Sequence, residues 1–167
     1  NPEMHYATTG PEILRDVPNV THFVAGLGTS GTLLGVGRFF KEQNPDIKIL
    51  AVEPPSGENV EGLRSLDDGF IPPIFDLWKG LEILDGKRIV RPLESLEYAR
   101  LLASQCGIFA GISSGAALAG AIRTANQIEE GAIVFIVCDG GWKYLSTGAW
   151  TKTLEEVSET LDRIIYF

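Results

Sequence analysis

The feature that most constrains this chain is an apolar run at residues 20–25 that breaks directly into the glycine-rich turn Gly26-Leu27-Gly28-Thr29-Ser30-Gly31-Thr32. The run reads as a buried strand. Residues 32–43 behind the turn read as a helix, stopped by Asn44-Pro45. Residues 47–53 read as a second strand, closed by Pro54-Pro55. A strand, a helix and another strand in that order imply a right-handed crossover and a parallel sheet. The expected fold class is α/β, a three-layer αβα arrangement around a mostly parallel sheet.

The rest of the chain extends the same alternation. Residues 54–87 are rich in Pro, Gly and Asp and read as a long loop, a length that is usually functional or covered by a partner. Residues 88–90 read as a short strand. Residues 93–105 read as a helix with Leu93, Leu96, Ala99, Leu101 and Leu102 as its apolar positions. A second glycine turn, Gly111-Ile112-Ser113-Ser114-Gly115-Ala116-Ala117, opens a small-residue helix over 114–129, with Ser114 as the better cap. Residues 132–138 are continuously apolar and read as a strand buried on both faces. Residues 153–167 read as an amphipathic helix with Leu154, Val157, Leu161, Ile164 and Ile165 on one side.

Composition narrows the function. The chain has 167 residues, 44% hydrophobic and 22% charged, which suits one globular domain with a sizeable core. Its net charge of −8 argues against nucleic acid as a partner. No leader segment is read, and no apolar stretch approaches the roughly 20 residues needed to cross a membrane. Cys106 and Cys138 lack metal-type spacing and read as buried thiols in a reducing compartment. The expected location is the cytoplasm. His5 and His22 look isolated, as surface or packing residues, and no metal site is read. The start at Asn1 rather than methionine reads as processing, or as a piece of something longer.

Two ligands compete for the first turn. Gly26-x-Gly28-x-x-Gly31 follows a strand, opens a helix and precedes Glu53 at the end of the next strand, which fits a dinucleotide fingerprint and an oxidoreductase domain. Thr29, Ser30 and Thr32 put three hydroxyls beside the free amides of a helix N-terminus. That donor set suits the three oxygens of a terminal phosphate monoester better than a pyrophosphate bridge. On the second view Glu53 is a strand-end residue. Asp139, after the last strand and before two glycines, falls near the C-terminal edge of the sheet, where it reads equally as a ligand-binding or a turn residue.

Gly28-Thr29-Ser30-Gly31-Thr32, Gly111-Ile112-Ser113-Ser114-Gly115-Ala116-Ala117, Tyr144-Leu145-Ser146-Thr147 and Thr8-Thr9-Gly10-Pro11-Glu12 together resemble the cysteine synthase family, in order and over nearly the whole chain. Those are pyridoxal 5′-phosphate enzymes of fold type II, tryptophan synthase β-like, that make L-cysteine by β-replacement. Ser30 departs from the glycine many members carry. A narrower set, Ala25-Gly26-Leu27-Gly28-Thr29, Gly62-Leu63-Arg64, Asp68-Gly69-Phe70 and Gly141-Trp142-Lys143-Tyr144-Leu145-Ser146-Thr147-Gly148, resembles the O-phosphoserine sulfhydrylase branch, akin to cysteine synthase B. On spacing alone Arg64 is an exposed loop arginine. The resemblance implies that it reads a substrate phosphate, for which a guanidinium fork is well shaped.

The resemblance also implies roles and absences. Gly28, Thr29, Ser30, Gly31 and Thr32 would hold the cofactor phosphate. Ser113 would face the pyridine nitrogen. Asp139 is a further cofactor-site candidate. A small amino-acid substrate, O-phosphoserine or O-acetylserine, would take sulfur from sulfide or a thiocarboxylated small carrier protein, in a homodimer. None of Lys41, Lys48, Lys79, Lys87, Lys143 and Lys152 stands in the family's Schiff-base context, so no catalytic residue is assigned in this chain. The chain resembles the C-terminal half of an enzyme about twice its length, inactive by itself or a non-catalytic homologue. Residues 1–150 are read as the large cofactor-binding α/β domain and 151–167 as a C-terminal helix and tail. The apolar end Ile164-Ile165-Tyr166-Phe167 reads as docked on the body or a partner, or as a cover for the active-site mouth.

Overall fold

The computed structural model describes residues 1–69 and 71–161. The helix expected to run to residue 167 is described as α8 (Leu154–Leu161), and the apolar end of the tail lies outside the described residues.

Two short helices, α1 (Pro2–Ala7) and α2 (Thr9–Asp16), precede the first strand. Then come β1 (Val20–Gly26), α3 (Gly31–Gln43) and β2 (Lys48–Glu53). Asn44, held extended by the following proline, ends α3. The segment read as one long loop carries three short helical pieces: a 3-10 turn at Leu66–Asp68, α4 (Pro73–Leu77) and α5 (Gly80–Ile83). Pro73 sits in the first turn of α4, where a missing amide costs nothing. Next are β3 (Gly86–Ile89), α6 (Pro92–Cys106), α7 (Ile112–Ala125), β4 (Ala132–Phe135) and a 3-10 segment at Gly141–Thr147.

The strands form one parallel sheet in the order β3-β2-β1-β4. Side-chain alternation divides it into two apolar faces. Val24, Leu50 and Val52 pack with Leu96, Ala116 and Ala119 of α6 and α7. Phe23, Ala25, Ile49 and Ala51 pack with Leu33, Leu34, Val36 and Phe40 of α3. The result is the three-layer arrangement expected from the alternation of elements. Leu154 and Val157 bring α8 onto the first face.

Several local expectations are corrected. β4 is not buried on both faces. It lies at the end of the strand order, bonded only to β1 among the described residues, and each of its residues is partly exposed. Leu93 and Leu101 are exposed, so α6 uses the narrower stripe Leu96, Ala99 and Leu102. α7 starts at Ile112, two residues earlier than expected, and ends at Ala125, four earlier. Both cysteines are exposed: Cys106 at the last turn of α6 and Cys138 beyond the end of β4. Among the described residues no helix is long and apolar enough to cross a membrane.

Candidate functional site

Parallel strands send all their C-terminal ends to one edge of a sheet, and ligands of open α/β folds bind there. The first glycine turn leaves β1 at that edge. Ser30, the residue before α3, adopts φ 72°, ψ 0°, a left-handed conformation that costs a non-glycine residue about 1–2 kcal/mol. Its hydroxyl is buried and, among the described residues, has no hydrogen-bond partner, and none of them caps α3 with a side chain. The first amides of the helix therefore stand free beside a strained, unsatisfied hydroxyl. Strain and an orphaned polar atom thus stand together at the N-terminus of a 13-residue helix, the end of a helix that favours anions.

A second loop closes on the first. The Arg64 amide donates to the Leu27 carbonyl at 2.7 Å. Gly28 touches the Gly62 carbonyl so closely that a Cβ there would collide with it, so only glycine lets these backbones meet. Gly28, Thr29, Glu61, Gly62 and Arg64 consequently line one cavity of about 590 Å³, with Pro72, Pro73 and Ile74 among its apolar walls. Arg64 is exposed at this cavity, and among the described residues no carboxylate pairs with its guanidinium. Burial raises the Glu61 carboxyl above its ordinary value, the Asp139 charge adds to this, and Lys143 opposes it. Glu61 was not singled out from the sequence. Its signal was only its place, three residues before Arg64.

The second glycine turn lies against the chain that leaves β4. The Gly111 amide donates to the Asp139 carbonyl at 2.8 Å, and Ala110 bridges Gly140. Neither serine caps α7. Gly111 occupies the cap position, and Ser114, fully buried, accepts the Cys138 amide at 2.9 Å. Ser113 is buried in the same first turn. Asp139 accepts the Tyr144 hydroxyl at 2.9 Å, and Lys143 approaches it at 3.4 Å. Its other carboxylate oxygen is buried and has no hydrogen-bond partner among the described residues. Burial first, and then the hydrogen bond to Asp139, push the Tyr144 hydroxyl far up, so it stays protonated and donates. Asp139 lies in a shallow groove with Phe109, Cys138 and Trp142, separate from the Arg64 cavity. Ser30, Gly31, Thr32 and Ser113 line neither.

The dinucleotide alternative required a free carboxylate at the end of β2. Glu53 is not free: it is fully buried, its Oε1 lies 2.6 Å from Lys87 Nζ, and its Oε2 accepts the Leu66 amide at 3.1 Å. It pins β2 to β3 and to the 3-10 turn.

Residues 1–139 match the family model described as "Pyridoxal-phosphate dependent enzyme". The chain belongs to this family. Within the family it is similar to cysteine synthase B of Pseudomonas aeruginosa, 39% identical over 151 residues, covering 90% of this chain and 49% of that protein. Cysteine synthase B of Escherichia coli is 40% identical over 151 residues, covering 90% and 48%. The crystal structure of O-acetylserine dependent cystathionine β-synthase from Helicobacter pylori superposes with a TM-score of 0.79 at 35% identity, over 90% of this chain and 50% of that one. The chain thus spans about half the length of the curated relatives it matches. The sheet with helices on both faces is the αβα arrangement of fold type II, and the family depends on pyridoxal phosphate.

The donor set at residues 28–32 fits the phosphate of that cofactor: uncapped helix amides, hydroxyls on Thr29, Ser30 and Thr32, and, among the described residues, no carboxylate hydrogen-bonded to them. Ser30 offers a direct check. Replacing it with glycine is expected to raise stability by about 1 kcal/mol, by removing the left-handed Cβ penalty and an unsatisfied buried hydroxyl. The same change should weaken binding of a phosphate-bearing ligand. Unfolding curves with and without pyridoxal phosphate measure both. A stability gain without a loss of binding would remove the hydroxyl from the cradle.

Proposed function

We propose that this chain supplies the phosphate cradle and the substrate-reading arginine of a cysteine synthase that replaces the phosphate of O-phosphoserine with sulfur. The observation that carries the reading is that Arg64 and the Gly28-Thr29 turn share one cavity, locked together by the bond from the Arg64 amide to Leu27. In the net reaction the bond from the substrate β-carbon to the phosphate oxygen breaks, a carbon–sulfur bond forms at the same carbon, and inorganic phosphate leaves. Bound pyridoxal phosphate supplies the electron sink for the substrate α-carbon.

The residues of the chain divide this work. Amides of residues 28–32, with the hydroxyls of Thr29, Ser30 and Thr32, hold the cofactor phosphate. Ser113 would offer the pyridine nitrogen a neutral hydroxyl, which need not protonate it and so would suit loss of a β-substituent. Asp139 is a further cofactor-site residue, its negative charge shared with Tyr144 and Lys143. Arg64 grips the substrate phosphate with a planar fork, and the apolar walls of the cavity keep water from the pair. The Schiff-base lysine belongs to the remainder of the enzyme, and this chain is inactive by itself. In support, none of Lys41, Lys48, Lys79, Lys87, Lys143 and Lys152 stands in the Schiff-base sequence context of the family that the chain resembles. The sulfur donor, sulfide or a thiocarboxylated carrier protein, and a homodimeric cytoplasmic enzyme follow from the same resemblance.

The test is the visible absorption of the full-length, cofactor-loaded enzyme. Addition of O-phosphoserine is expected to shift the cofactor band at lower concentration than addition of O-acetylserine. A band that responds to O-acetylserine and ignores O-phosphoserine would keep the enzyme class and remove the phosphate substrate.

A further inference from the structure

His5 was read from the sequence as isolated, and the structure gives it two partners. α1 lies directly against α3: a Cβ on Gly35 would meet the Pro2 carbonyl and the His5 side chain, so glycine there lets the helices approach. The half-buried His5 ring then reaches the N-terminus of α3. Its Nδ1 lies 2.9 Å from Thr9 Oγ1, and its Nε2 lies 3.1 Å from Thr32 Oγ1. Thr32 is in the first turn of α3, among the amides that have no intrahelical acceptor.

A neutral imidazole has one donor and one acceptor nitrogen, and its neighbours decide which is which. With the proton on Nδ1, the ring donates to Thr9, and Nε2 must accept the Thr32 proton. The Thr32 hydroxyl then turns only lone pairs toward the cradle, which repels a phosphate. With the proton on Nε2, the ring donates to Thr32, and the Thr32 proton is free to be given to a phosphate oxygen. Thr9 then donates to Nδ1. One proton position thus makes the first turn of α3 a better anion donor, and the other spoils it.

We propose that His5 is a positioning residue for the cradle: its Nε2–H donates to Thr32, turns that hydroxyl into a phosphate donor, and couples the α1–α2 segment to cofactor binding. The inference rests on the reading of residues 28–32 as the phosphate cradle. It deepens that reading by assigning a residue more than twenty positions upstream.

The experiment uses the full-length protein freed of cofactor, with 15N-labelled histidine, titrated with pyridoxal 5′-phosphate and with pyridoxal, which lacks the phosphate. On adding pyridoxal phosphate, His5 Nε2 is expected to move to the protonated nitrogen shift and Nδ1 to the unprotonated one, with no such change from pyridoxal. His5→Phe is expected to weaken pyridoxal phosphate binding roughly tenfold, the low end of what one charge-assisted hydrogen bond contributes, and to leave pyridoxal binding unchanged. His5→Gln, which keeps a donor, should restore most of the loss. Unmoved His5 signals during tight pyridoxal phosphate binding, or an equal loss for both ligands in His5→Phe, would overturn the inference. Equal affinity of the unsubstituted protein for the two ligands would instead overturn the cradle itself.

Discussion

Replacing Arg64 with alanine in the full-length enzyme is expected to lower kcat/KM for O-phosphoserine by roughly 100-fold, and to leave that for O-acetylserine within about threefold. The size of the effect follows from where the guanidinium sits. An ion pair in open water is worth at most about 1 kcal/mol, less than a tenfold effect. Two charge-assisted bonds to phosphate oxygens inside a cavity are worth about 1.5–3 kcal/mol each before screening. Arg64 lies between these limits. It is exposed in the free chain, yet it lines a cavity walled by Pro72, Pro73 and Ile74, which a bound substrate would close from water. Arg64→Lys should recover only part of the loss, because an ammonium lacks the planar fork. Steady-state kinetics with both substrates decide the matter. An equal fall for O-acetylserine would mean that Arg64 only shapes the loop, and the phosphate reading would go with it.

The second large effect is on stability. Lys87→Met is expected to cost about 3 kcal/mol, because it leaves the fully buried Glu53 carboxylate without its cation, and breaking a buried pair from one side costs about 3–5 kcal/mol. The low end applies because Lys87 itself is about a third exposed, at 32%. The double variant Lys87→Met/Glu53→Leu should be milder than the single change, since it removes the stranded charge. The pH dependence has a definite sign. Burial alone would lower the Lys87 ammonium, but Glu53 and Asp67 together hold it above its ordinary value. A group raised on folding stabilises fully below its unfolded pKa and loses that contribution as pH rises through its folded value. The unsubstituted protein should therefore lose this stability above about pH 10.5, the ordinary lysine range, and Lys87→Met should show no corresponding loss. Urea midpoints across that window measure it. An alkaline loss that persists in Lys87→Met would assign the effect to another group.

Much of the scaffold was legible because its signals are local. The apolar run before Gly26, the proline after Asn44 and the spacing of Leu96, Ala99 and Leu102 each act on their own stretch of backbone, and the structure keeps β1, α3 and α6 within a residue or two of where the sequence put them. The segment after Pro54-Pro55 was read less well. Its helical pieces are only three to five residues long, and one turn of helix carries no periodicity to read. The candidate site was legible in part for the same reason. Glycines and hydroxyls around residues 28–32 and 113 describe a donor set without reference to anything distant. Glu61 carried no such signal. Its significance lies in facing the same cavity as Arg64 and feeling the charge of Asp139, far along the chain.

The sequence by itself determined an alternating α/β chain, a parallel sheet and two glycine-rich turns, because strand and helix periods and turn chemistry are properties of short stretches of backbone. Only the tertiary structure decided which strand lies at the end of the sheet, and so why the apolar β4 is partly exposed. It also decided that Glu53 belongs to Lys87 rather than to a ribose, and that His5 reaches Thr32. The physical reason is common to all three. A crossover fixes which elements become neighbours, and a polar side chain is satisfied by whatever the crossover brings within about 3 Å, whatever its distance in sequence.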